Sequence, residues 1–401
     1  MNQAKPKLWT RDFIILSAAN FFVGLTLFLL MTNMAVYAIE EFHASQSMAG
    51  LASSIFIIGA LVFRLLAGKN LERIGRKRML FGGLLLFLLA TLVYFVVGNL
   101  NLLLLVRFIH GAAFGVTATT MATAVMDTIP RVRLGEGTSY FSMSGTLGAA
   151  IGPFLGVFIS LHAGFTIAFA VCTFFSVISI IISLFARIPE AKLNKEQLAA
   201  MQGFKWKNFF EVKAVPISII IFIMGFSFSG ILTFLTAYTK EINLIDAASF
   251  FFIVYAVFIL ISRPFTGRLL DEKGANLVIY PSLIIFALGL VILSQAYHGF
   301  TLLLAGAIIG LGYGTIFSCS QAIAVKESPR HRIGLATSTF FICVDGGLGI
   351  GPFLLGYIIP ILGFRGLYAA LAVVVCACIF LYYLLHGKKE SYRKGNMGPV
   401  L

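Results

Sequence analysis

The sequence predicts an all-α membrane protein that crosses a bilayer twelve times, as two parallel-related bundles of six helices. Three observations carry this: an apolar composition, twelve apolar runs of spanning length, and a repeat of the chain on itself 199 residues on. Hydrophobic residues make up 59% of the 401, charged residues only 11%, and Phe alone contributes 40. A water-soluble chain of this length needs far more polar residues to cover its surface.

A hydrocarbon core of roughly 30 Å asks for about 20 apolar residues per helix. Such runs fall near 13–37, 48–68, 79–98, 100–125, 135–160 and 164–186. A second set follows near 214–239, 247–267, 277–297, 300–325, 334–360 and 364–386. They are too long for barrel strands and lack alternating polarity, so they read as helices. The first run is too long for a signal peptide and no small-residue cleavage site follows it, so it is expected to be retained.

Orientation follows from Lys and Arg. With the N-terminus inside, the segments on that side are 69–78, 126–134, 187–213, 268–276, 326–333 and 387–401. Together with Lys5, Lys7 and Arg11 they hold 25 of the 30 basic residues, against Lys240 and Arg365 on the other face. This bias places both termini in the cytoplasm of a cell-membrane protein. It also accounts for the net charge of +14 without nucleic acid as a partner. The expected organisation is a first half at 1–186, a linker at 187–213, a second half at 214–386 and a tail at 387–401. Cys172, Cys319, Cys343, Cys376 and Cys378 all fall within spans and read as packing residues; no metal site or cofactor is expected.

The repeat is explicit. RLLAGKNLERIG at 64–75 matches RPFTGRLLDEKG at 263–274, PRVRLGEGTSYF at 130–141 matches PRHRIGLATSTF at 329–340, and GAAIGPFLG at 148–156 matches GLGIGPFLL at 347–355. Each pair shares one offset (263 − 64 = 199). Two halves in the same orientation, with a site between repeats, are a transporter arrangement.

Gly68-Lys-Asn-Leu-Glu72-Arg73-Ile-Gly75-Arg76-Lys77 resembles the loop motif between helices 2 and 3 of the major facilitator superfamily, with Asn70 for the usual Leu and Glu72 for Asp. Gly267-Arg-Leu-Leu-Asp271-Glu-Lys-Gly274 is a second copy without the trailing basic pair. Arg107-Phe-Ile-His110-Gly111 resembles the family's fourth-helix motif. Gly148, Gly152, Pro153 and Gly156 resemble the fifth-helix run of its proton-antiporting exporters, with Val157 in place of a final Gly, and Gly347, Gly351 and Pro352 repeat it in the eleventh span. The resemblance covers essentially the whole chain. It implies that Glu72 docks near Gly334 and Asp271 near Gly135, closing the cytoplasmic side. A bare topology signal remains an equal reading of Arg76, Lys77 and Arg78. The glycine runs read equally as tight packing between the halves or as a coupling element.

Ionisable residues deep in a span are costly, and few occur. Asp345 lies 11 residues past Gly334, about 16 Å in at 1.5 Å per residue. It, Arg107 and His110 are the proton-coupling candidates, with Arg107 as counter-ion. Asp345 also fits a satisfied polar contact near the Gly346-Gly347 bend, Arg107 also fits snorkelling to the outer surface, and His110 reads more readily as packing. Asn20, Asn33, Tyr238, Tyr255, Tyr313, Ser318 and Gln321 could line a cavity, although each alone also fits an interhelical hydrogen bond. The expected protein is therefore no enzyme but a monomeric, proton-coupled secondary transporter. Its partners are protons, the lipid bilayer and a small-molecule substrate, most simply an exported drug or metallophore. An importer or sugar-efflux member is the alternative. A membrane enzyme or receptor is disfavoured by the lack of a nucleophile–base set, a phosphate loop or an appended soluble domain.

Overall fold

The computed structural model describes residues 7–130, 133–188, 190, 210–329, 333–388 and 390. Among them, ten helices are long and apolar enough to cross a membrane. They are α1 (Arg11–Phe42), α2 (Gln46–Ile74), α3 (Arg76–Val93), α4 (Leu100–Thr128), α5 (Leu134–Leu184), α6 (Val215–Glu241), α7 (Ile245–Lys273), α8 (Ala275–Ser294), α9 (Gly299–Glu327) and α10 (Ile333–Tyr382). A 3-10 turn, Tyr94–Val96, follows α3 and a π turn, Tyr383–Gly387, follows α10.

Ten helices serve for twelve apolar runs because α5 and α10 each hold two. They have 51 and 50 residues, about 75 Å each at 1.5 Å per residue, over twice the hydrocarbon core. Each is interrupted at one glycine, Gly164 (φ 80°, ψ 173°) and Gly363 (φ 66°, ψ 174°). Those torsions are essentially open to glycine alone.

The contacts show the chain reversing there. Along α1, Asn20 meets Ser144 and Asn33 meets Gly156, so the first part of α5 runs with α1. Beyond Gly164 the order inverts: Tyr37 packs on Phe165, and Phe22 on Phe175. Gly225 and Gly230 of α6 likewise oppose Val344 and Leu355 in the first part of α10. In the second part, Tyr238 packs on Phe364 while Gly230 opposes Leu371. With these two reversals the ten described helices are consistent with the twelve apolar runs of the sequence.

Two compact units result, one of residues 1–44 and 55–203 and one of 45–54 and 204–401. In the first, α5 lies along α1 and α3 packs on α4; in the second, α10 lies along α6 and α8 packs on α9. The repeat extends to single contacts. Any side chain at Gly111 would strike the Phe56 carbonyl, and one at Gly310 that of Tyr255; one at Gly115 would strike the Ala60 carbonyl, and one at Gly314 the Ile259 side chain. All four pairs keep the 199 offset. Such close approach of small residues is how membrane helices pack without a hydrophobic drive between them.

Candidate transport site

In the second unit four aromatic side chains form a slab. Phe228 of α6 stacks on Tyr313 of α9, with centroids 4.2 Å apart and planes 9° from parallel. Its other neighbour is Tyr255 of α7, at 5.3 Å and 22°. Phe286 of α8 packs on Tyr313 at 5.6 Å. Asp345, on the first part of α10 and half-buried, is close enough to Tyr313 for the two to interact electrostatically. Two of the predicted positions, Tyr255 and Tyr313, thereby fall in one group, and the charge of Asp345 acts on Tyr313.

The first unit holds the cationic candidate. Arg107 is completely buried, with its guanidinium 4.7 Å from the centre of the Phe56 ring. His110 is also fully buried; its Nδ1 lies 3.1 Å from the Tyr94 hydroxyl, and Phe87 and Phe56 pack on its ring. A cation over an aromatic face is stabilised by the ring quadrupole, more strongly once desolvated.

The loop motif is partly visible. Arg76 is buried and ion-paired with Asp127 at the end of α4, so it does more than mark topology, whereas Arg73 and Lys77 are exposed. Gly75 (φ 98°) and Gly274 (φ 81°) precede α3 and α8 in left-handed torsions, which explains glycine at both places. Gly68 and Gly267 have open space around them. The side chains of Glu72 and Asp271, and the surroundings of Gly135 and Gly334, lie outside the described residues.

The glycines of these runs pack against the first helix of their own half. Gly148, Gly152 and Gly156 lie against α1, and Gly347 and Gly351 against α6. Pro153 and Pro352 stand inside α5 and α10; the Pro352 carbonyl abuts Gly50, which belongs to the second unit. The remaining polar candidates serve mainly as links between helices. Asn20 donates to the Ser144 hydroxyl at 2.9 Å, Asn33 to the Gly156 carbonyl at 2.9 Å and Tyr238 to the Leu293 carbonyl at 2.9 Å. Gln321 is half-buried on α9.

Sequence reading missed Tyr94, Asp127, Glu190 and Glu211. Glu211, buried ahead of α6, donates its N–H to the Thr339 hydroxyl of α10 at 2.9 Å. Asp127, Glu190 and Glu211 carried one signal, acids among the basic residues of predicted inner segments, and Tyr94 carried none.

Comparison with known proteins agrees with the geometry. The family model described as Major Facilitator Superfamily matches residues 16–344 and 245–399. The chain belongs to that family of membrane transporters, and it is not an enzyme. An uncharacterized MFS-type transporter of Methanocaldococcus jannaschii is 27% identical over 88% of this chain and 92% of its own length. The staphylopine export protein of Staphylococcus aureus is 23% identical over 89% and 91%. The multidrug resistance protein MdtG of Escherichia fergusonii is 23% identical over 96% of each. Among solved structures, a bacterial homolog of the human lysosomal transporter Spinster, inward-facing and unoccupied, superimposes with a TM-score of 0.76 over 96% of this chain and 98% of that one, at 13% identity.

Proposed function

We propose that the chain is a proton-driven exporter of amphipathic small molecules that exposes one site alternately to the two sides of the cell membrane. It works as a monomer with both termini in the cytoplasm. The observation that carries this reading is the Tyr255–Phe228–Tyr313 slab, with Asp345 on the neighbouring α10 acting electrostatically on Tyr313. Flat rings offer apolar, sequence-tolerant contact to an aromatic guest, and a carboxylate adds attraction for a positive one. The charged carboxylate costs at least ~2.5–3.5 kcal/mol at mid-bilayer, and protonation removes that cost. Its charge state therefore biases which side is open, and guest and proton compete for it. Relatives named for staphylopine export and multidrug resistance support the outward direction and this class of cargo.

Inside-out membrane vesicles with an imposed proton gradient provide the test, with ethidium as the aromatic cation and a metallophore assayed beside it. Wild-type protein should accumulate one of these against its gradient. Asp345→Asn should reduce gradient-driven accumulation at least tenfold while preserving passive exchange. Uphill accumulation with normal gradient dependence in Asp345→Asn would move the proton site elsewhere, first to the exposed Glu40 and Glu41.

A further inference from the structure

We infer that Glu190 and Glu390 are positioning residues that hold the starts of α3 and α8, and so set the two loop motifs from the far end of their own halves. The first N–H groups of any helix lack an intrahelical partner, and that end is electrostatically positive. Elsewhere a neighbouring side chain meets the need: Thr10 accepts from Phe13 N–H at α1, and Asn99 from Leu102 N–H at α4. The residues ahead of α3 and α8 are Gly75 and Gly274, which bring no acceptor.

The acceptors come from more than a hundred residues away. Glu190 Oε2 accepts from Arg76 N–H at 2.9 Å, and its Oε1 from Lys77 N–H at 3.0 Å. Glu390 Oε1 accepts from Ala275 N–H at 3.4 Å. The second attachment is reinforced by Asn276, whose Nδ2 donates to the Gly387 carbonyl at 2.9 Å and whose Oδ1 accepts from the Tyr382 hydroxyl at 3.0 Å. Arg76 and Ala275 are equivalent under the 199 repeat, and Glu190 and Glu390 are one residue from equivalence. The same carboxylate device therefore appears twice, although the loop sequences between the two copies have diverged.

Each loop motif ends at one of these helix starts, Gly68–Lys77 at α3 and Gly267–Gly274 at α8. The segment leaving the sixth pass and the one leaving the twelfth thus act as straps on the motifs. The strap itself does not depend on the cargo; its effect on transport rests on the function proposed above.

Hydrogen exchange on the full chain in lipid nanodiscs reads the strap directly. Glu190→Ala should speed exchange at residues 76–79 at least tenfold and leave 275–278 unchanged, and Glu390→Ala should do the reverse. Glu190→Gln keeps an acceptor oxygen and should restore most of the protection. Unchanged exchange in both alanine variants, or loss of protection along the whole of α3 or α8, would overturn the assignment. Ethidium transport by the same variants reads the consequence: a maximal rate several-fold lower with half-saturation unchanged. Local exchange without a change in rate would overturn the positioning role while leaving the transport reading intact. The metallophore replaces ethidium here if wild type carries only that; failure of wild type to move either would count against that reading alone, and exchange would then decide the strap.

Discussion

Arg107 is a permanent charge completely buried in the first half of the chain. Its planar guanidinium sits 4.7 Å from the Phe56 ring centre, a contact that a lysine ammonium reproduces poorly, being compact and more strongly hydrated. Arg107→Lys should therefore lower stability by about 2 kcal/mol, seen as earlier thermal unfolding in detergent than for wild type. Stability equal to wild type would show that charge alone, and not the flat face, is what the site requires. Arg107 and Asp345 were legible in the sequence because ionisable groups are rare in apolar runs. Their neighbours were not. Tyr94 is one aromatic among 53 Phe and Tyr residues, and only folding brings it to His110. Glu190 is separated from its hydrogen-bond donors by 113 and 114 residues, a distance no local pattern reports.

The helices were largely legible as elements, since run length and hydropathy follow directly from the thickness of a bilayer. Their packing was legible only as a motif. Glycine spacing marks a face that admits close approach, but it does not say which helix approaches, and for the fifth and eleventh spans the neighbours are α1 and α6. Gly111 and Gly310 carry a sharper expectation. Both lie where a Cβ would run into a backbone carbonyl, of Phe56 and Tyr255 respectively, and backbone cannot step aside as a side-chain tip can. Gly111→Ala and Gly310→Ala should each destabilise by about 1–3 kcal/mol. Gly82→Ala, in open space on α3, should be neutral or stabilising by up to ~1 kcal/mol through helix propensity. Thermal unfolding of the three variants side by side checks the contrast.

For the whole molecule, the repeat was the strongest sequence signal, and contacts repeat with it. Phe56, Phe87 and Phe114 of the first half correspond at 199 residues to Tyr255, Phe286 and Tyr313 of the second. Two of the three positions gain a hydroxyl, and the ionisable groups sit at non-equivalent places, Arg107 where the repeat has Gly306 and Asp345 where it has Thr146. Fold is thus shared while chemistry has divided, a difference that sequence matching alone, tuned to likeness, passes over. The family resemblance implies that Glu72 and Asp271 help close the cytoplasmic side. Glu72→Ala and Asp271→Ala should then cut cysteine cross-linking between the inner ends of the second and eleventh spans, and of the fifth and eighth, by several-fold. Unchanged cross-linking together with unchanged transport would reduce both loops to topology signals.

The reversals at Gly164 and Gly363 bear on how the chain is made. A single residue in a torsion reserved for glycine joins two bilayer-length rods, leaving almost no polar connection to be carried across the membrane between them. That geometry suits spans five and six, and again eleven and twelve, to entering the bilayer as hairpins, each as one insertion event rather than two.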